Sequence, residues 1–124
     1  VNAILQAKAA YRAQARTIRT ERGLEYDALA RITHRLKSAA EEAGGIGPLA
    51  SAVHDNRRLW TVFATEAADR ANPLPGELRA RIISLAEFTR QHSGRVLRDG
   101  ADVAPLIDIN LAIMRGLNGN GGTA

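Results

Sequence analysis

Cysteine is absent from the 124-residue chain, which excludes a disulfide framework and a thiolate metal site. Aromatic residues reduce to Tyr11, Tyr26, Trp60, Phe63 and Phe88. That is too few for the interleaved aromatic and basic surface on which RNA-binding modules stack bases. No apolar run approaches the roughly 20 residues of a membrane-spanning helix, so no membrane insertion is expected. The stretch from Val1 to Tyr11 has no basic region followed by an apolar block and does not resemble a secretory signal. A cytoplasmic protein is the expectation. Charge is mild: 17 basic and 13 acidic residues leave a net +4, spread along the chain with no basic tail or dense patch. Only Lys8 and Lys37 are lysines. The rest is Arg, whose planar fork clamps carboxylates, phosphates and aromatic faces.

Signs of catalysis are equally sparse. His34, His54 and His92 form no pair at metal-binding or catalytic spacing. Gly44-Gly45-Ile46-Gly47 precedes a helix, but Pro48 and Leu49 follow where a phosphate-binding loop needs Lys and Ser or Thr. Glu41 and Glu42 are adjacent, so on a helix they point about 100° apart and cannot work as a paired acid and base. No enzyme activity, metal or cofactor is expected.

What the chain does have is alanine and helical periodicity. Apolar residues make up 45%, enough for one modest core. Ala is the best helix former, and β-branched residues are scattered. Five helical segments follow. The first, near 3–15, carries Ile4, Leu5 and Tyr11 on a thin apolar face and is suited to loose docking or to ordering on binding. The second, about 20–43, lines up Leu29, Ile32, Leu36, Ala40 and Ala43, with Thr20 as N-cap and Gly44-Gly45 as stop. The third starts at Pro48 and runs to about Ala71, with Leu49, Val53, Asn56, Trp60, Phe63 and Ala67 in one stripe. Asn72-Pro73-Leu74-Pro75-Gly76 breaks the chain. The fourth, about 75–98, carries Leu78, Ile82, Leu85, Thr89 and Val96, widened by Ile83, Ala86 and Leu97, with Phe88 on the other flank. The fifth follows Asp99-Gly100, is capped by Asp102, and lines up Val103, Leu106, Asn110, Ile113 and Leu117, extended by Ile107 and Met114. Short loops between long helices imply antiparallel neighbours. The predicted fold is an all-α antiparallel bundle of four main helices plus a short N-terminal helix. It forms a single domain over 1–117, followed by a disordered Gly-rich tail over 118–124.

Two amides, Asn56 and Asn110, interrupt apolar stripes. A buried amide without partners costs about 1–3 kcal/mol. The favoured reading is a register-fixing bond inside the bundle, to each other or to backbone; the alternative is a groove amide that meets a partner's main chain. Glu25, at the apolar edge of the second segment, suits an Arg partner or the helix N-terminus. His54-Asp55-Asn56-Arg57-Arg58-Leu59-Trp60 concentrates the residue types enriched at binding hot spots. Either Arg57 and Arg58 rim a pocket floored by Trp60, or Trp60 is the keystone of the core.

Four blocks together resemble the FlaF family, flagellar biosynthesis regulators of alphaproteobacteria. They are Glu25-Tyr26 with Arg31-Ile32-Thr33-His34-Arg35-Leu36, then His54 to Trp60, then Leu74 to Ser93, then Ile107 to Leu117, in the family's order. The resemblance implies a role in flagellin synthesis and export alongside a partner regulator, FlbT, and brings no catalytic residue. A secretion chaperone for flagellin fits it best, since flagellin's terminal segments are amphipathic and associate if left free. Flagellin is then the expected partner and FlbT a second candidate. The mechanism expected is a flagellin helix laid in an apolar groove of the bundle. Its anchors would be Trp60, Phe63, Ile82, Ile83, Phe88 and Met114, and its polar rim Arg57, Arg79 and Arg90. The alternative is control of flagellin messenger RNA, directly or through FlbT; direct RNA contact is the less favoured of the two.

Overall fold

The computed structural model describes residues 3, 6, 26–42 and 44–120. The expected N-terminal helix lies outside them apart from Ala3 and Gln6, as do Thr20 and Glu25 and the tail from residue 121. Among the described residues from Tyr26 on, four helices follow in order: α1 (Tyr26–Glu41), α2 (Ile46–Ala68), α3 (Gly76–Asp99) and α4 (Ala104–Asn120). No strand occurs among the described residues.

The breaks fall at the turn residues. Gly45 adopts φ 82°, a region where a Cβ costs energy, and turns the chain from α1 into α2. Helix α2 begins at Ile46, two residues before the expected Pro48. The missing N–H of Pro48 costs nothing there, because donors of a first turn have no helical acceptor. It ends at Ala68, short of Ala71, because two side chains take over the backbone groups. Asp69 Oδ1 accepts the Ala71 N–H at 2.9 Å, and Asn72 Nδ2–H donates to the Glu66 carbonyl at 2.9 Å. Arg79 Nε–H reaches back from α3 to the Ala67 carbonyl at 2.7 Å, satisfying one orphan acceptor at the end of α2. Gly100, left-handed at φ 69°, stops α3. As expected, Asp102 supports the start of α4: its Oδ1 accepts the Ala104 N–H at 2.9 Å. The backbone of α4 stays helical to Asn120, past the expected end at Leu117. The glycines at 116 and 119 weaken a helix by about 1 kcal/mol each but do not forbid it.

Packing follows the chain. Helix α2 lies between α1 and α3, and α4 returns mainly against α1, touching α3 only lightly. The core divides into two apolar clusters. One gathers Leu29, Trp60, Phe63, Ala67, Ile82 and Ala86; the other gathers Leu36, Ala52, Val53, Val96, Val103 and Leu106. Helix α1 passes from the first to the second, α2 from the second to the first, α3 again from first to second. Helix α4 runs from Val103 and Leu106 to Ile113 and Met114, which pack on the first cluster. Successive helices are therefore antiparallel.

Between the clusters each helix contributes a buried polar residue: Thr33 from α1, Asn56 from α2, Thr89 and Ser93 from α3, Asn110 from α4. The two asparagines bond to each other, as the favoured reading expects. Asn110 Nδ2–H donates to Asn56 Oδ1 at 2.8 Å, and Asn110 Oδ1 accepts the Trp60 indole N–H at 2.9 Å. Such a layer fixes register, because sliding one helix by a turn would set an amide against aliphatic side chains. The hydroxyls of Thr33, Thr89 and Ser93 have no hydrogen-bond partner among the described residues. The layer's stabilising bonds thus belong to the amides. Thr89→Val, which keeps the shape and drops the hydroxyl, is expected to change stability by less than about 1 kcal/mol in urea titration. A larger loss would mean that the hydroxyl is bonded in solution.

Candidate functional site

An opening lies on the seam of α1 and α2, not where the sequence places a groove. On α1, Ala28 and Ile32 stand one turn apart, with Arg31 and Arg35 in the neighbouring row. On α2, Asp55, Leu59 and Val62 share a row, with Arg58 beside it. Residues three and four apart share a helix face, so the two helices bring these rows together. They enclose a hollow of about 440 Å³ lined by all eight residues. Its floor is aliphatic (Ala28, Ile32, Leu59, Val62) and its rim charged (Arg31, Arg35, Asp55, Arg58). Val62 is 51% exposed, uncommon for a large aliphatic side chain beside a core.

Arg35 clasps the seam at one end of the hollow. Its Nη1–H donates to Asp55 Oδ2 at 2.6 Å and its Nη2–H to Ser51 Oγ at 3.1 Å. Beyond the clasp lies a smaller hollow of about 220 Å³ that shares Arg35 with the first. The Asp55 carboxyl sits below the usual carboxylate range. The Arg35 hydrogen bond is the main cause; partial burial opposes it, and the charges of Arg35, Arg58 and His54 reinforce it. Folded Asp55 therefore releases its proton at lower pH than the unfolded chain does. The clasp's stabilisation is complete above the ordinary carboxylate value and is lost as pH falls through the lowered one. An exposed pair of this kind is worth at most about 1 kcal/mol. Asp55→Asn is expected to flatten the acid limb of stability below about pH 4 by that amount. Urea midpoints from pH 3 to 6 measure it, and an unchanged acid limb would mean that the clasp is open in solution.

The residues expected to form a groove are not brought together, and several corrections follow. Trp60 (1% exposed), Phe63 (2%) and Ile82 (0%) are core. Trp60 meets Phe63 edge to face, with ring centroids 5.3 Å apart, so it is the keystone and not a pocket floor. None of the three can anchor a partner, because the bundle consumes the stripe they lie on. Met114 is half-buried against the same cluster. Arg79 is half-buried and spends its Nε–H on the end of α2, so it is no free rim. Arg57 is half-buried and does not line the hollow. Arg90 is exposed but folded onto Glu87, with Nε–H to Oε2 at 3.0 Å and Nη2–H to Oε1 at 2.7 Å. Ile83 (41%) and Phe88 (42%) remain accessible. Five positions apart, they lie about 140° round α3 from each other, and Phe88 stacks on His92 with centroids 5.5 Å apart.

Of the pocket read into the His54 to Trp60 run, the Arg58 rim is present, but over Leu59 and Val62 in place of Trp60. The signal for the hollow was Val62, an aliphatic residue off the stripe of its helix. Among the described residues, no group of acidic residues and histidines could hold a metal ion, and no helix is long and apolar enough to cross a membrane.

The described residues form a small antiparallel helical bundle with an aliphatic, arginine-rimmed hollow, and that defines the class. The model of the family described as flagellar protein FlaF matches residues 7–117. The chain belongs to the FlaF family, a family of flagellar proteins. No curated protein and no solved structure matches it.

Proposed function

We propose that the chain binds flagellin and holds an amphipathic helical segment of it until export, as a secretion chaperone, with the α1–α2 hollow as the seat. The observation that carries this reading is the aliphatic floor left open beside the core, half-exposed at Val62, in a member of a flagellar protein family. An apolar side chain that leaves water for such a floor contributes about 1.5–3 kcal/mol. A helix is the occupant a helical seam suits, because it satisfies its own backbone and offers anchors at i, i+3 and i+4. The messenger RNA alternative draws less support from this surface. Base stacking needs aromatic rings, and none is among the described residues that line the hollow.

The test is complex formation between the purified protein and flagellin monomer, followed by size-exclusion chromatography with and without RNase, and with FlbT added in a third arm. Co-elution that survives RNase and needs no FlbT is expected. Absence of a complex in the first two arms overturns the reading, and a complex only with FlbT present assigns binding to FlbT.

A further inference from the structure

The charges around the hollow are one-sided. Asp55 is the only carboxylate among the described residues that line it and is already held by Arg35. Arg31 on α1 and Arg58 on α2 are both exposed, and neither has a hydrogen-bond or ion-pair partner among the described residues. They stand on different helices beside one aliphatic floor. A segment lying there meets guanidinium groups from both walls.

We infer that the hollow selects an acidic amphipathic helix, with an aliphatic side chain on the floor formed by Ile32, Leu59 and Val62 and carboxylates on its flanks paired to Arg31 and Arg58. Charge complementarity chooses the occupant. A lysine-flanked helix would face Arg31, Arg35 and Arg58 with one neutralised carboxylate to offset them. A glutamate-flanked helix gives the Arg31 and Arg58 guanidinium groups the planar acceptors they fit. An extended peptide is disfavoured, since no strand edge among the described residues could take up its main chain. For the identity of the natural partner this inference rests on the flagellin reading; it adds the charge of the bound segment and the two residues that read it.

Two synthetic helical peptides with the same leucine face, one flanked by Glu and one by Lys, test it by fluorescence anisotropy. The Glu peptide is expected to bind the full chain at least about tenfold tighter than the Lys peptide at low salt. That preference should shrink as salt rises past the screening range and vanish in the Arg31→Glu/Arg58→Glu double variant. Both substitutions are at exposed positions, and circular dichroism melting checks that the fold persists. Equal binding of the two peptides overturns the inference, as does a preference that survives the double variant. So does a single-stranded RNA that binds tighter than the Glu peptide and is lost in the same variant, or self-association of the chain lost in Val62→Asp. If the Glu peptide behaves as expected but flagellin monomer does not compete with it, the acidic-helix inference stands and the flagellin reading falls. If flagellin binding depends on Val62 but no charge preference appears, the reverse holds.

Discussion

Trp60→Ala is expected to cost about 4–8 kcal/mol of folding stability, most of what a domain of this size has to lose. Two effects add. Removing a fully buried aromatic side chain leaves a cavity that the bundle cannot close, typically about 3–5 kcal/mol. The indole N–H also leaves with it, and Asn110 Oδ1, which accepts that N–H at 2.9 Å, stays buried without its donor, at about 1–3 kcal/mol. Trp60→Phe separates them: much of the ring's burial remains and the N–H does not, so about 1–3 kcal/mol should be lost. Equilibrium urea denaturation reads both. A Trp60→Ala variant within about 1 kcal/mol of the parent would show that the indole is not the core's centre. Because Trp60 is covered on all sides, Trp60→Phe should also bind flagellin as the parent does, while any role as a contact residue would show as weaker binding.

The second large effect concerns binding, and it discriminates between two surfaces. Val62→Asp puts a carboxylate on the floor of the hollow at a half-exposed position, where the fold tolerates it within about 0.5 kcal/mol. A bound apolar side chain would have to cover that charge, so binding to flagellin should fall by at least about thirtyfold, the scale of a hot-spot residue. Ile83→Asp, on the outer face of α3, should leave binding within about threefold. Isothermal titration with monomeric flagellin measures both. The opposite pattern, with Ile83→Asp lethal to binding and Val62→Asp silent, would move the site to α3.

The helices themselves follow from local chemistry. The apolar stripes through Leu29 and Leu36, Trp60 and Phe63, Ile82 and Val96, and Val103 and Leu106 lie on the arcs that the bundle buries. Gly44-Gly45, the Asn72–Gly76 run and Asp99-Gly100 interrupt the helices because their backbone preferences act over a few residues. The Asn56–Asn110 pair was also legible, since an amide inside an apolar stripe must find a partner within the same interior.

Which apolar residues stay open was decided by the tertiary structure alone. A helical repeat shows that a residue lies near an apolar arc; it does not show how much of that arc a neighbour covers. That depends on the distance and crossing of two helices far apart in the chain. Ile82 and Ile83 are adjacent in sequence, yet one is sealed and the other 41% exposed. Val62, off its stripe, became part of a floor only because α1 brings Ala28 and Ile32 alongside. In the same way Arg79 is spent on the end of α2 and Arg90 on Glu87, while Arg31 and Arg58 have no such partner among the described residues. The order of turns and stripes sets where helices begin, end and turn their apolar faces; the approach of α1 to α2 sets what is left for another molecule to touch.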